Sequence, residues 1–434
     1  MFDKRVFLYK NSSYILSKDN MKVTLKHDLW NRDYRLELNL PNKWNVEILR
    51  MEGDKKKVLV KNRYRKAIAS LSPMLKGKKE ICILFDDLSR PTKAYEITPY
   101  LLELFEKCKI RDEQVRFICA LGTHATLDNV AFRKKLGHEI LERFPVYNHN
   151  SYEHCEYIGK TKLNTPVMVN KEYLSCDFKI GIGAFVPHSF CGFGGGYKIV
   201  MPGVSHIDAI EYHHGTLMKK YWESCYGIGK HDGNPLLEDL KEFGRMAGLD
   251  ATIDVLVNSE ADNVDIYAGN PDTLYEYMVP RAHTHYSTAF TKKTDIVFAN
   301  VYGKANEAVI AISLAEQLLK DEGGHIAVLC DIEGGQVVHY LLGRFGRNTW
   351  GKIAFGERKK DSKVRKIFIY SQFRDIANEW WFGTKEDTLW SNSLEEIIQT
   401  LKDEYRGKRP YVSVIPDGTI QTIKQQAVIR RQQV

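Results

Sequence analysis

The chain has 434 residues, 43% hydrophobic, 27% charged and 11% aromatic, a balance that excludes disordered, collagenous and coiled-coil classes and is enough to bury more than one core. Its 63 Lys and Arg against 55 Asp and Glu leave a net charge of +8, too small an excess to imply nucleic acid by itself. No apolar run approaches the roughly 18 to 20 residues of a membrane span.

The first fifty residues alternate polar and apolar positions, with Leu36, Leu38 and Leu40 before Pro41, and predict a small antiparallel β element. No secretory signal pattern is visible there, so the cytoplasm is the expected compartment. Helical spacing over Tyr64–Leu75 leads to a strand at Glu80–Phe85, the loop Asp86-Asp87-Leu88-Ser89-Arg90-Pro91-Thr92 and a helix over Tyr95–Cys108. The unit repeats as a strand at Gln114–Leu121, Gly122-Thr123-His124 and a helix at Asn129–Phe144, then a strand at Phe178–Gly183 running to Pro187-His188. The helical pattern stops around Met278–Arg281, and a second alternation begins with Ile296–Asn300, Ala305–Leu319, His325–Cys330 and Val337–Gly343.

This order predicts a two-domain α/β protein: mostly parallel sheets flanked by helices, with the active site in the cleft between domains. A cofactor-binding unit is expected over 1–283, rejoined by 412–434, with a smaller α/β unit over 284–411. The strand at Tyr411–Pro416 is the segment expected to return to the first unit. Eight scattered cysteines with no C-x-x-C pair read as buried reduced thiols, neither a disulfide frame nor a zinc site.

Chemistry concentrates just past three strand ends. The segment from Pro187-His188 through Gly194-Gly195-Gly196 to Lys198, continuing to His213-His214, lets backbone N–H groups approach a flat or phosphorylated group. Its glycine spacing fits neither the dinucleotide nor the P-loop fingerprint, and Lys198 is left as a candidate for covalent attachment or anion contact. A tight surface loop with a solvated lysine is the competing reading. Consecutive histidines point different ways, so at most one of His213 and His214 faces a site. Asp87, Ser89 and Arg90 form either an anion socket or a helix cap, two roles that are compatible. His124 and His188 offer two bases that could flank one substrate.

Together these motifs resemble the nickel-dependent lactate racemase family. The resemblance rests on D-D-L-S-R-P-T, G-T-H, G-x-G-x-x-x-P-H followed by K-x-x-x-P-G, and a histidine sixteen residues after that lysine. It implies a pyridinium-3-thioamide-5-thiocarboxylic acid mononucleotide carrying Ni(II), linked through Lys198 and ligated by His214. His124 and His188 would be the acid/base pair, and Asp87, Ser89, Arg90, Gly194 and Gly195 cofactor-site residues. The implied reaction is inversion of C2 of a 2-hydroxy acid by proton-coupled hydride transfer. Cofactor-making enzymes would be loading partners, and no nucleic acid or membrane partner is expected.

One segment departs from the family. Lactate-specific members carry a tyrosine–glutamine pair and a lysine three residues beyond the glutamine, and this chain has Ile310 and Ser313 at the glutamine and lysine places. Lactate is therefore not the expected substrate, and a larger hydroxy acid or a sugar acid is; Lys304, Asn306 and Trp381 are the substitute substrate contacts. The alternative is a non-catalytic nucleotide-binding or sensor protein on the same fold. Nucleic-acid binding through the tail Gln425–Arg431 rests on too few charges.

Overall fold

The computed structural model describes residues 14–16, 20–31, 34–336 and 358–424. Tyr14–Leu16 (β1), Asn20–His27 (β2) and Tyr34–Pro41 (β3) form the expected antiparallel sheet, and Asn45–Ile48 (β4) leaves it to join a larger one. The first large sheet is built from Ile81–Phe85 (β5), Val115–Cys119 (β6), Val146–Asn148 (β7), Phe178–Ala184 (β8), Ala251–Val257 (β9) and Asn263–Gly269 (β10). Its order is β10-β9-β8-β5-β6-β7, parallel throughout except for the β9–β10 pair.

The second large sheet takes Ile296–Asn300 (β11), Gly324–Leu329 (β12), Val364–Tyr370 (β13), Thr388–Ser391 (β14) and Tyr411–Ile415 (β15). It is parallel throughout, in the order β14-β13-β12-β11-β15-β4. The predicted α/β class with mostly parallel sheets is what the chain adopts.

Strand chemistry explains why both faces of each sheet are covered. In β5 every residue is buried: Ile81, Ile83 and Phe85 enter one core while Cys82 and Leu84 enter the other. In β11, Ile296 and Phe298 pack with Val23, Leu36, Leu38 and Leu40, and Val297 and Ala299 pack against the helix Ala308–Glu316. The amphipathic alternation of the first fifty residues is thus spent on covering the second sheet.

Several expectations change. The helix Pro271–Tyr286 runs on through Pro280 instead of stopping there, with nine helical residues, 271–279, before that proline. The predicted helix Asn129–Phe144 is two, Asn129–Leu136 and His138–Arg143, because Gly137 takes a φ of +89° between them. Tyr411–Ile415 lies in the second large sheet, bonded on one side to β11 and on the other to β4 of the expected first unit. The expected element Val337–Gly343 and the tail Gln425–Arg431 lie outside the described residues.

The chain runs β5→β6→β7 to one side and then returns to place β8 on the other side of β5. That reversal between β5 and β8 is where open parallel sheets leave a crevice at their carboxyl ends. The loop after β5 is held there by Lys135, a fully buried lysine of the helix Asn129–Leu136. Its Nζ lies 2.6 Å from Asp86 Oδ1 and donates to the carbonyls of Asp87 (2.8 Å) and Arg90 (3.2 Å). Removing one partner of a buried ion pair strands the other in low dielectric. Lys135→Met is expected to cost about 3–5 kcal/mol, read as a lower urea midpoint, and Asp86→Asn added to it is expected to restore part of the loss.

Candidate active site

The three strand ends open on one pocket of about 990 Å³. Asp87 and Arg90 enter it from the β5 loop, His124 from the β6 loop, and His188, Gly194, Gly195 and Lys198 from the segment after β8. His214 comes from the turn Tyr212–Leu217, while Lys304, Asn306, Ile310 and Ser313 come from beyond β11. Trp381 completes the set, on the short helix Ile376–Trp381 with its ring crossed against Trp380. Of the predicted residues only Ser89 is outside the lining; its hydroxyl lies 3.2 Å from His124 Nδ1, and its N–H donates to Asp87. Neither Ser89 nor Asp87 caps a helix, since the next helix begins at Thr98 after the separate turn Ala94–Glu96.

The hydrogen bonds assign the tautomers of the histidines. Asp87 Oδ2 lies 2.6 Å from His124 Nδ1, so Nδ1 carries the proton and Nε2 the lone pair. Burial alone would raise the Asp87 carboxyl, but His124, Arg90 and Ser89 outweigh it and hold the group well below the usual carboxylate range. His188 is the reverse case. The backbone N–H groups of Phe190 and Cys191 donate to its Nδ1 at 3.1 and 3.3 Å, which leaves the proton on Nε2. Burial and the cations Lys198, Lys304 and Arg90 push its pKa well below the ordinary value, so the ring stays neutral.

A third chain of bonds sets His214. His213, fully buried, donates from Nε2 to the Leu236 carbonyl at 2.9 Å, so its Nδ1 accepts from His214 Nδ1 at 3.1 Å. The lone pair of His214 is then on Nε2, the arrangement a metal-ligating imidazole needs. Of the two consecutive histidines one faces the pocket and the other orients it.

The glycine segment rests on a residue that no motif marks. Asp254 of β9 is buried under it, its carboxylate accepting from Gly196 N at 3.3 Å, and burial raises its pKa to about 7. At Gly195, φ +82°, a Cβ would stand 2.5 Å from Asp254 Oδ1, so no side chain fits. Lys198 follows on the turn Gly196–Ile199, and desolvation lowers its pKa toward the neutral amine. Lys135 and Asp254 carry no motif; a polar residue in the middle of an apolar strand was the only available signal for the second.

Across the pocket, Lys304 is wholly buried and its Nζ donates to the Pro187 carbonyl at 2.8 Å. Arg90 pairs with Glu307 at 3.0 Å.

Residues 32–225 match the lactate racemase N-terminal domain. The chain is 25% identical over 367 residues to the lactate racemase of Thermoanaerobacterium thermosaccharolyticum, spanning 80% of this chain and 82% of that one. Over residues 32–225 the chain is lactate racemase-like. A second relative, the lactate racemase of Lactiplantibacillus plantarum, is 26% identical over 208 residues, 48% of each chain. The fold of this lactate racemase-like protein superposes on the lactate racemase apoprotein of T. thermosaccharolyticum with a TM-score of 0.70 at 20% identity, covering 93% of this chain and all of that one. A crystal structure of a Thermotoga maritima protein gives 0.64 at 16% identity, covering 85% of this chain and all of that one.

Burial pushes the Lys304 ammonium down to about 8, with Glu307 and Asp417 opposing that shift and Arg90 and Lys198 adding to it. The lysine is charged below that pH and neutral above it. Affinity of the pocket for a small carboxylate such as glycolate is therefore expected to fall as pH rises through about 8. Calorimetric titration across that range reads the effect, and Lys304→Met is expected to flatten the profile.

Proposed function

We propose that this protein is a racemase or epimerase that inverts C2 of a 2-hydroxy acid other than lactate, with a nickel-pincer nucleotide linked through Lys198. Its kinship with lactate racemases supports racemase activity on a related substrate. The observation that carries the finer reading is the set of imposed tautomers: His214 with its lone pair on Nε2, and His124 and His188 with opposite protons on theirs.

The residues present fit the cofactor. Lys198 is a depressed-pKa amine in the pocket wall, suited to a covalent link. Gly194 and Gly195 leave no side chain between the backbone and a planar ring. Among the described residues no group of three or more His, Cys, Asp or Glu converges, so a metal at His214 would draw its other donors from the cofactor. Soft sulfur and carbon donors with one imidazole suit square-planar nickel(II). When bound, the group supplies the acceptor for the C2 hydrogen.

The protein's own part is proton handling and orientation. His124 Nε2 takes the hydroxyl proton of the 2-hydroxy acid, and Asp87 stabilises the imidazolium that forms. His188 Nε2–H donates a hydrogen bond to the same oxygen when it stands on the other side, and the proton held on His124 returns to that oxygen as the inverted hydroxyl is restored. The two imidazoles thus enter the reaction as opposite tautomers, one presenting a lone pair and the other a proton at Nε2. Arg90 and Lys304 supply positive charge for the carboxylate, in place of contacts that Ile310 and Ser313 cannot make.

Co-production with cofactor-making enzymes is expected to raise the protein mass by one nucleotide adduct, abolished by Lys198→Ala. The loaded protein is expected to invert C2 of a 2-hydroxy acid in deuterated water with the C2 hydrogen retained; extensive exchange would show an enolate route instead. Nucleotide binding with no turnover of any such acid would favour a sensor. His124→Gln is expected to lower kcat by about 10²–10⁴ while leaving the mass adduct in place.

A further inference from the structure

We propose that Asn306 reads a hydroxyl group of the substrate beyond C2, so that the substrate is a polyhydroxy acid. The inference rests on the reading of this pocket as a 2-hydroxy acid racemase site. Asn306 is 1% exposed, it lines the pocket, and among the described residues neither its Oδ1 nor its Nδ2 has a hydrogen-bond partner. Buried amides are almost always satisfied, and one lacking partners on both atoms needs a reason.

The surrounding loop leaves no slack for the side chain to find protein partners. Gly303 N donates to Asp417 Oδ2 (2.8 Å) and Lys304 N to Thr419 Oγ1 (3.0 Å). Gln336 holds both the Ala305 carbonyl and the Ala308 N–H (2.8 and 2.9 Å), and Glu307 N closes the turn onto Lys304 O (2.9 Å). The backbone on either side of Asn306 is therefore fixed while its amide is left unmatched, which is the arrangement of a preorganised recognition group.

The chemistry of the amide selects among partners. It offers two donors and an acceptor. A carboxylate would meet Oδ1 oxygen to oxygen, an ammonium would leave Nδ2 unmatched among Arg90, Lys198 and Lys304, and an alkyl chain would leave both atoms bare. A hydroxyl donates to Oδ1 or accepts from Nδ2, and two vicinal hydroxyls do both. Position favours the substrate over the nucleotide as the source: Lys304, two residues away, bonds the carbonyl of Pro187, which precedes His188. Asn306 therefore sits on a loop tied to the segment that carries His188, whereas the proposed nucleotide link is at Lys198.

The test uses the full chain and calorimetric binding of three probes: 2,3,4-trihydroxybutanoate, 2-hydroxybutanoate and nicotinic acid mononucleotide. Wild type is expected to bind the trihydroxy acid at least about tenfold more tightly than 2-hydroxybutanoate, one hydrogen-bonded hydroxyl's worth. Asn306→Leu, of the same shape, is expected to erase that ratio, leave mononucleotide binding unchanged and melt no lower than wild type, since it removes two unmet polar atoms. Equal wild-type affinities for the two acids, a ratio that survives in Asn306→Leu, a loss confined to the mononucleotide, or a markedly destabilised variant each overturn the proposal. If both acids bind and are inverted without preference, only this inference falls; if neither acid binds while the mononucleotide does, the racemase reading falls with it.

Discussion

One buried ammonium organises the site. Lys135 contributes nothing to the pocket wall, yet its Nζ gathers the Asp86 carboxylate and the carbonyls of Asp87 and Arg90, and lies 4.8 Å from the centroid of the Trp30 ring. A lysine taken out of water is tolerable only with its charge matched and its donors used. Both conditions are met by the loop after β5, which is held with Asp87 facing His124 and Arg90 facing Glu307. Thr92, whose hydroxyl donates to Asp86 Oδ2 at 2.5 Å, closes the other end.

The same logic operates under the glycine segment with the sign reversed. Asp254 is a buried acid facing the backbone N–H of Gly196, and desolvation brings its titration to near neutrality. A half-neutral carboxyl beside an amide imposes little field on the pocket, which leaves the electrostatics to Lys198, Lys304 and Arg90. Those three oppose one another, and Glu307, Asp87, Asp86 and Asp417 offset them. The cations Arg90, Lys198 and Lys304 on this wall suit anions, which a phosphorylated nucleotide and a carboxylate substrate both are.

Much of this was legible in the chain. Strands ending in D-D-L-S-R-P-T, G-T-H and P-H mark their own carboxyl ends, and a parallel sheet must gather such ends on one edge, so His124, His188, Lys198 and Arg90 were predictable as a group. What was not legible is whatever depends on partners far apart in sequence. Lys135 reads as one more basic residue on an amphipathic helix, and nothing local says it will be buried against Asp86. Pro280 reads as a helix stop because propensity counts against it; the tertiary packing of Met278, Val279 and Ala282 in the core outweighs the one hydrogen bond lost. The role of β15 depends on a partner, β4, more than 350 residues earlier in the chain.

The histidines make the limit sharpest. Sequence gives three imidazoles that could each be acid, base or ligand, because a neutral ring is symmetric in its options. What separates them is the bonding at Nδ1: a carboxylate at His124, two backbone N–H groups at His188, and a neighbouring imidazole at His214. None of these bonds touches the reacting face of its ring. Each nonetheless decides whether Nε2 presents a proton or a lone pair, so the division of labour in the pocket is set from behind the rings, by atoms that a motif does not record.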